Sequence, residues 1–347
     1  MQQKRIEWID VAKCLCMIAI FLGHYFNVDG TYAAGYLGIF VWRWHVPCMF
    51  FLSGCTQNYA HGSIRTRIEN DICGIMIPYA FFGAVALVFA LFYGNYAYPY
   101  MGRLTVDYLR GTIRNTGFVT QIWFLTALFV IKVLFDGISC LCRSKGKTIC
   151  LATLLWLLGD CFVYTGYGSL PYNIDLALHY LSFFILGYAL FPVITVMFAD
   201  PSKKVIKRAV LLVSGVYAML VYWGKYTVAE EDGGQIRRKI AWVLSTLVLI
   251  VFICCLSECL SFSALLKRLG RQSLYLCGNE GVVNYFFTVV LGMFHIEETY
   301  SSPLAVIIMV TIRMLFISWF IYPKEVMWIA VIAQKFRRRE PTKSQLQ

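Results

Sequence analysis

Residues 8–26 read WIDVAKCLCMIAIFLGHYF, an apolar run interrupted by Asp10, Lys13 and His24. Lys13 and His24 are eleven positions apart. At about 100° per residue, that spacing returns a helix to nearly the same face. The rise between them is roughly 16 Å, about half the hydrocarbon thickness of a bilayer. A membrane helix made from this stretch carries a cation toward one leaflet and an imidazole toward the other, on a single face. Asp10 lies one turn before Lys13 and is placed to pair with it. Ionisable groups in lipid are costly and face a bundle interior or a water-filled path. The pattern therefore points to a reaction or transport site inside a membrane.

The composition agrees. Of 347 residues, 59% are hydrophobic, 16% aromatic and only 14% charged, where a soluble domain is about 25% charged. Apolar runs of spanning length recur along the chain. The expected fold is an all-α integral membrane bundle of ten spans, at 8–27, 36–56, 72–93, 118–137, 148–165, 176–198, 209–224, 239–257, 273–294 and 303–322. This gives one membrane domain over 1–322 and a short basic tail over 323–347, with no soluble module before or after. Within the tail, Val326 to Phe336 is expected to form an amphipathic helix along the inner surface. The start is not read as a cleavable signal, because Asp10 and Lys13 interrupt its apolar stretch and no small-residue cleavage site follows.

With the N-terminus inside, the predicted cytoplasmic pieces hold twenty Lys and Arg and the outer pieces seven. That asymmetry puts both termini in the cytoplasm of a multi-pass protein of the cell membrane. A positive inner surface facing anionic lipid accounts for the net charge of +12, and no nucleic-acid partner is needed. The thirteen cysteines fall mostly within spans or in the predicted inner loop at Cys140 and Cys142, so no disulfide framework is expected. No zinc-ligand spacing accompanies them, and no metal is expected.

The second span adds Arg43, His45 and Pro47. Arg43 and His45 point about 200° apart and cannot face the same cavity. Pro47 frees a carbonyl near residue 43 and bends the helix. Ser53 and Gly54 permit close helix approach. Arg43 is read as paired with Asp160 or a backbone carbonyl, or as a substrate contact. Two histidines and a lysine on one hairpin favour function over simple helix stapling. The aromatic outer loop with Tyr96, Tyr98, Tyr100, Arg103 and Asp107 carries sugar-compatible chemistry. Glu280 and Asn284, one turn apart in the ninth span, read as a polar staple between helices.

These motifs occur in a recognisable order. Arg5-Ile-Glu-Trp-Ile-Asp10-Val-Ala-Lys13, then ten residues and His24, resembles the signature of the membrane acyltransferase 3 family, which includes O-antigen and exopolysaccharide O-acetylases and fucose 4-O-acetylase-like proteins. His45-Val-Pro47-Cys-Met-Phe50-Phe51-Leu-Ser53-Gly54 is similar to that family's second-helix run, with one extra residue before the Phe pair. Pro78-Tyr79, Trp123-Phe124-Leu125, Phe183-Phe184-Ile-Leu-Gly187-Tyr188 and Leu269-Gly270-Arg271-Gln-Ser273-Leu274-Tyr275 follow in the family's order. The resemblance covers nearly the whole chain. Two departures stand out. Lys13 replaces a frequent arginine, keeping the charge but losing the fork geometry. Asn279 and Glu280 stand where the family often has histidine.

The resemblance implies transfer of an acyl group, usually acetyl, from cytoplasmic acyl-CoA to a hydroxyl at the outer face, on a glycan or lipid-linked sugar. It makes His24 the catalytic base, with Lys13, Asp10 and His45 in support. Acetyl-CoA is the expected co-substrate, its phosphates held by Arg65 and Arg67, and Trp123 is a candidate acceptor contact. The competing reading is a proton-coupled transporter or flippase using Lys13, His24, His45 and Glu280 as a relay, although no internal repeat or pair of broken spans supports it. The charge asymmetry makes one direct prediction. Reporter fusions at Gln347 and at the N-terminus should both report the cytoplasm, and an outside signal at Gln347 would overturn the orientation.

Overall fold

A computed structural model describes residues 5–25, 32–57, 62–93, 98–114, 121–164, 170–223, 235–295 and 303–338. The described residues are helical with no strand. The helices are α1 (Glu7–Tyr25), α2 (Tyr32–Gln57), α3 (Ile64–Asp71), α4 (Ile77–Tyr93), α5 (Tyr98–Arg110), α6 (Trp123–Cys142), α7 (Lys145–Tyr164), α8 (Ile174–Ala199), α9 (Lys204–Tyr222), α10 (Gln235–Cys259), α11 (Ala264–Arg271), α12 (Ser273–Met293), α13 (Pro303–Phe316) and α14 (Tyr322–Arg338). Each predicted span overlaps a helix over its described residues, with ends displaced by several residues. Among the described residues, seven helical stretches are long and apolar enough to cross a membrane: Ile64–Phe92, Trp123–Cys142, Pro171–Ala199, Pro201–Tyr222, Ile240–Cys259, Ser273–Met293 and Leu304–Arg337. α1, α2 and α7 stand outside that set. α1 starts with Glu7, Asp10 and Lys13 and α2 carries Arg43; in α7 the side chains of residues 160–164 lie outside the described residues. The chain is a multi-pass membrane protein.

Local chemistry sets the helix ends. Ser63 and Ser263 cap α3 and α11 by accepting from the backbone N–H of Thr66 at 3.2 Å and Leu266 at 3.4 Å, which satisfies an orphan donor of the first turn. α3 runs into α4 through one π-turn, Ile72–Met76, and α13 runs into α14 through another, Ile317–Ile321. Residues 322–338 therefore continue the last apolar helix. Ile329 of α14 is buried with Ile75, Tyr79 and Phe82 of the α3–α4 stretch, and the Trp328 ring lies 6.2 Å from Phe81.

The chain divides into two compact units. The first comprises Met1–Tyr59, Tyr180–Ser273 and Glu297–Ile312; the second comprises Ala60–His179, Leu274–Ile296 and Arg313–Gln347. In the first, α2 and α8 cross through glycine on both sides. A Cβ at Gly54 would lie 2.0 Å from the Phe184 carbonyl oxygen, and one at Gly187 would lie 1.9 Å from the Phe51 carbonyl oxygen. No side chain fits either place, so the two backbones touch. This is how membrane helices associate where no hydrophobic force drives them together. Around the crossing, Phe50 stacks on Tyr180 at 5.0 Å and Phe183 meets Trp242 edge-on at 5.0 Å. Cys14, Cys16, Cys48, Cys55, Cys254 and Cys255 are buried in this unit and form no disulfide.

In the second unit, two ion pairs join the α3 region to α6. Arg67 Nη1 donates to Asp136 Oδ1 at 2.7 Å, and Lys132 pairs with Asp71. Positions 67 and 71, like 132 and 136, are one turn apart, so the pairs stack as two rungs. Asp136 and Asp71 are both buried.

The α2–α8 crossing yields a stability prediction. Gly187→Ala forces the backbones apart and should cost about 1–3 kcal/mol, seen as a lower thermal midpoint in detergent. Gly146→Ala in α7, where a Cβ meets nothing within 4 Å, should leave that midpoint unchanged or slightly raised.

Candidate active site

The site is built on α1. Its first turns are anchored at Asp10, which is 3% exposed. Arg5 Nε donates to both of its carboxylate oxygens, at 2.9 and 3.3 Å, and Arg271 Nε donates to Oδ2 at 3.2 Å. Next to Arg271, a Cβ on Gly270 would lie 1.7 Å from the Asp10 carbonyl oxygen. Lys267 pairs with Glu7 at 3.2 Å. The short helix α11 is thus fastened to the start of α1 by two ion pairs and one bare backbone contact. The cations on Asp10 are ones that the sequence reading had not assigned to it.

From that anchor, one stripe of α1 runs through Lys13, Met17, Ile20 and His24. The two apolar members are buried and the two ionisable ends are half-buried. Beside the far end, Trp42 of α2 packs against Gly23, where a Cβ would lie 3.4 Å from its indole nitrogen. The indole meets His24 edge-on at 5.6 Å and His45 edge-on at 5.1 Å. Trp42 therefore sits between the two imidazoles, and it is 43% exposed. Its signal in the sequence is its spacing of three from His45, which puts both on one face of α2.

His45 is buried, with Nδ1 2.5 Å from the Val41 carbonyl oxygen. A carbonyl only accepts, so Nδ1 donates and Nε2 is the ring nitrogen left for another partner. One turn below, Pro47 has no N–H for the Arg43 carbonyl. Thr246 of α10 supplies the missing donor at 3.4 Å. The carbonyl freed at Pro47 is thus satisfied by a neighbouring helix. Arg43 itself is half-buried, and the Asp160 side chain lies outside the described residues.

The other candidates belong to the second unit. Arg65 is exposed and pairs with Glu69 at 2.6 Å along α3. Arg67 is engaged by buried Asp136. Trp123 opens α6, half-buried, and its carbonyl accepts from Thr126 Oγ1 at 2.9 Å. Around it lies a polar node that sequence reasoning missed. Buried Asn173 donates from Nδ2 to the Gly111 carbonyl at 2.6 Å and to Thr126 Oγ1 at 2.8 Å. Arg114 donates to Asn173 Oδ1 at 2.6 Å and to Asp175 at 2.5 Å. Asn173 and Tyr172 have φ near +55°, and Gly111 has φ +67°, so the backbone takes left-handed turns that only Gly and Asn adopt cheaply. The Asn in Pro171-Tyr-Asn173 was the available clue. The expected aromatic loop is helix α5 over Tyr98–Arg110, with Arg103 exposed; Tyr96 and the side chains of Tyr98 and Tyr100 lie outside the described residues. Asn279 donates to Glu325 at 2.6 Å, while Glu280 is fully buried. Among the described residues, no group of three or more His, Cys, Asp or Glu side chains is placed to hold a metal ion.

A family model described as an acyltransferase domain matches residues 6–322. The chain belongs to the acyltransferase 3 family. No curated protein and no solved structure matches it. The match gives the ordered motifs of this acyltransferase a physical meaning. The Asp10 and Gly270-Arg271 motifs grip one another, as do the Phe51–Gly54 and Phe184–Gly187 motifs.

The structure also separates the two arginines after the second span. Arg67→Ala strands a buried carboxylate and should cost about 3–5 kcal/mol, read as lost yield and a lower midpoint. Replacing the pair together, Arg67→Met with Asp136→Leu, should restore most of that loss. If Arg67→Ala leaves the midpoint unchanged, the pair has no structural role.

Proposed function

We propose that this acyltransferase moves an acyl group, in the first place acetyl, from cytoplasmic acyl-CoA to a hydroxyl of an extracytoplasmic glycan or lipid-linked sugar. The protein crosses the cell membrane ten times, with both termini cytoplasmic. The observation that carries the reading is the single stripe on α1, with half-buried Lys13 at one end and half-buried His24 at the other, His24 lying against an exposed indole.

His24 is the general base. An imidazole with a pKa of about 6.5 in water can take the proton of a sugar hydroxyl as its oxygen attacks the thioester carbonyl. The C–O bond forms, the C–S bond breaks, and the imidazolium returns the proton to the departing thiolate. The thioester is activated already, so the protein's task is positioning and proton transfer. Trp42 holds the His24 ring edge-on and presents an apolar face on which a sugar can stack. His45, its Nδ1 committed to Val41, offers Nε2 to an acceptor hydroxyl. Trp123 and Arg43 remain acceptor contacts in this reading.

Lys13 stands at the donor end, on a helix fixed by Asp10. Met17 and Ile20 lie between it and His24 and are packed in this conformation. A pantetheine arm that reaches His24 along the stripe displaces them. Met17, unbranched and adaptable, suits that movement. The donor's phosphates are assigned to Arg65, whose guanidinium is exposed beside Glu69, and to Arg67 on the same segment, which Asp136 holds in place.

Two substitutions test the base. His24→Ala and His24→Gln should each lower acyl transfer by roughly 10²–10⁴-fold while the protein still inserts and folds. Release of coenzyme A from acetyl-CoA by the purified protein is the readout. A fully active His24→Gln variant would sink the catalytic role. Lys13→Arg keeps the charge and should retain activity, whereas Lys13→Ala should not. A transporter would release no coenzyme A at all.

A further inference from the structure

In the first unit a half-open cleft of about 350 Å³ lies where the end of α8, the start of α9 and the last turn of α10 meet. One wall is a single face of α9, made by Lys204, Lys207, Arg208 and Leu211 at i, i+3, i+4 and i+7. Glu258 of α10 stands opposite. Lys207 spends its charge internally. Its ammonium donates to the Phe198 carbonyl at 3.2 Å and pairs with Glu258 at 3.2 Å. Glu258 is thereby neutralised, and the exposed Lys204 and Arg208 leave the cleft with a surplus of positive charge. The cleft also sits at the first turn of α9, where the helix dipole adds to that field.

The surroundings narrow the ligand. α9 is the least enclosed of the seven apolar stretches, with 17% of its apolar window buried. Leu212 and Met219 follow Arg208 at i+4 and i+11 on its side of the helix, and both are exposed. Val213 and Val216 widen the same bare surface. A cationic cleft thus opens directly onto an uncovered apolar helix wall. Positive-inside charge alone would scatter cations over a loop, whereas these share one helix face and a cavity. Basic pockets between membrane helices suit anionic headgroups, and a guanidinium with an ammonium matches a phosphodiester.

We propose that this cleft binds the phosphate of an anionic phospholipid, with the acyl chains lying along α9. The inference goes beyond acyl transfer. It requires that α9 faces lipid, and it does not depend on the chemistry at His24.

The test uses the full chain in detergent with added phosphatidylglycerol or phosphatidylcholine, and native mass spectrometry to count retained lipid. The wild type should retain phosphatidylglycerol preferentially. Lys204→Ala with Arg208→Ala should reduce that retention by roughly tenfold and leave phosphatidylcholine unchanged. Lys145→Ala with Lys147→Ala removes the same charge elsewhere and should change neither. Equal retention by the cleft variant, or equal loss in the control, overturns the site. Displacement by inorganic phosphate or by coenzyme A at matching concentration would also overturn it, since the cleft would then take free phosphate or the acyl donor. Retention is read without any turnover, so failure here is distinct from failure of the His24 assay.

Discussion

A carboxylate inside an apolar helix must be paired or protonated, and the first unit is organised around that requirement at Asp10. Arg5 reaches it from the same chain end, and Arg271 reaches it from more than two hundred and fifty positions away. Desolvating a carboxylate costs several kcal/mol unless its partners are well placed. Two guanidinium donors meet that condition, and the bare backbone of Gly270 lets the helix that carries one of them approach the Asp10 main chain. The result is a fixed register for α1. Three turns separate Lys13 from His24, so holding one end of the helix decides where the other end stands.

Close backbone approach does for the rest of this unit what ion pairing does at Asp10. Gly54 and Gly187 let α2 and α8 touch carbonyl to Cα, and that contact fixes the helix carrying Trp42 and His45. Pro47 leaves one carbonyl of the same helix without its usual donor, and Thr246 supplies one. His45 turns its Nδ1 inward to Val41. The histidine pair is therefore held by packing on both sides, which a proton-transfer site needs more than it needs additional charge.

The second unit uses polar chemistry differently. Its two ion-pair rungs, Arg67–Asp136 and Lys132–Asp71, tie a loop-following helix to α6. The Asn173 node ties the opposite end of α6 to two loops. In both places a buried polar group is satisfied by partners from distant sequence. Arg67 is engaged by a buried carboxylate sixty-nine positions away, while the guanidinium of Arg65 is exposed and pairs with Glu69.

The sequence alone determined the class and the helices. Apolar runs of spanning length need their backbone groups satisfied internally, so each predicted span had to be helical. It also determined the face shared by Lys13 and His24, because that follows from local periodicity. Tertiary structure decided which polar groups meet. Arg271 with Asp10, Thr246 with the Arg43 carbonyl, and Asn173 with Gly111 join residues whose separation carries no periodic signal. Trp42 shows the boundary. Its spacing to His45 was legible within one helix, but its contact with His24 needed α1 and α2 packed together, with Gly23 leaving room for the ring.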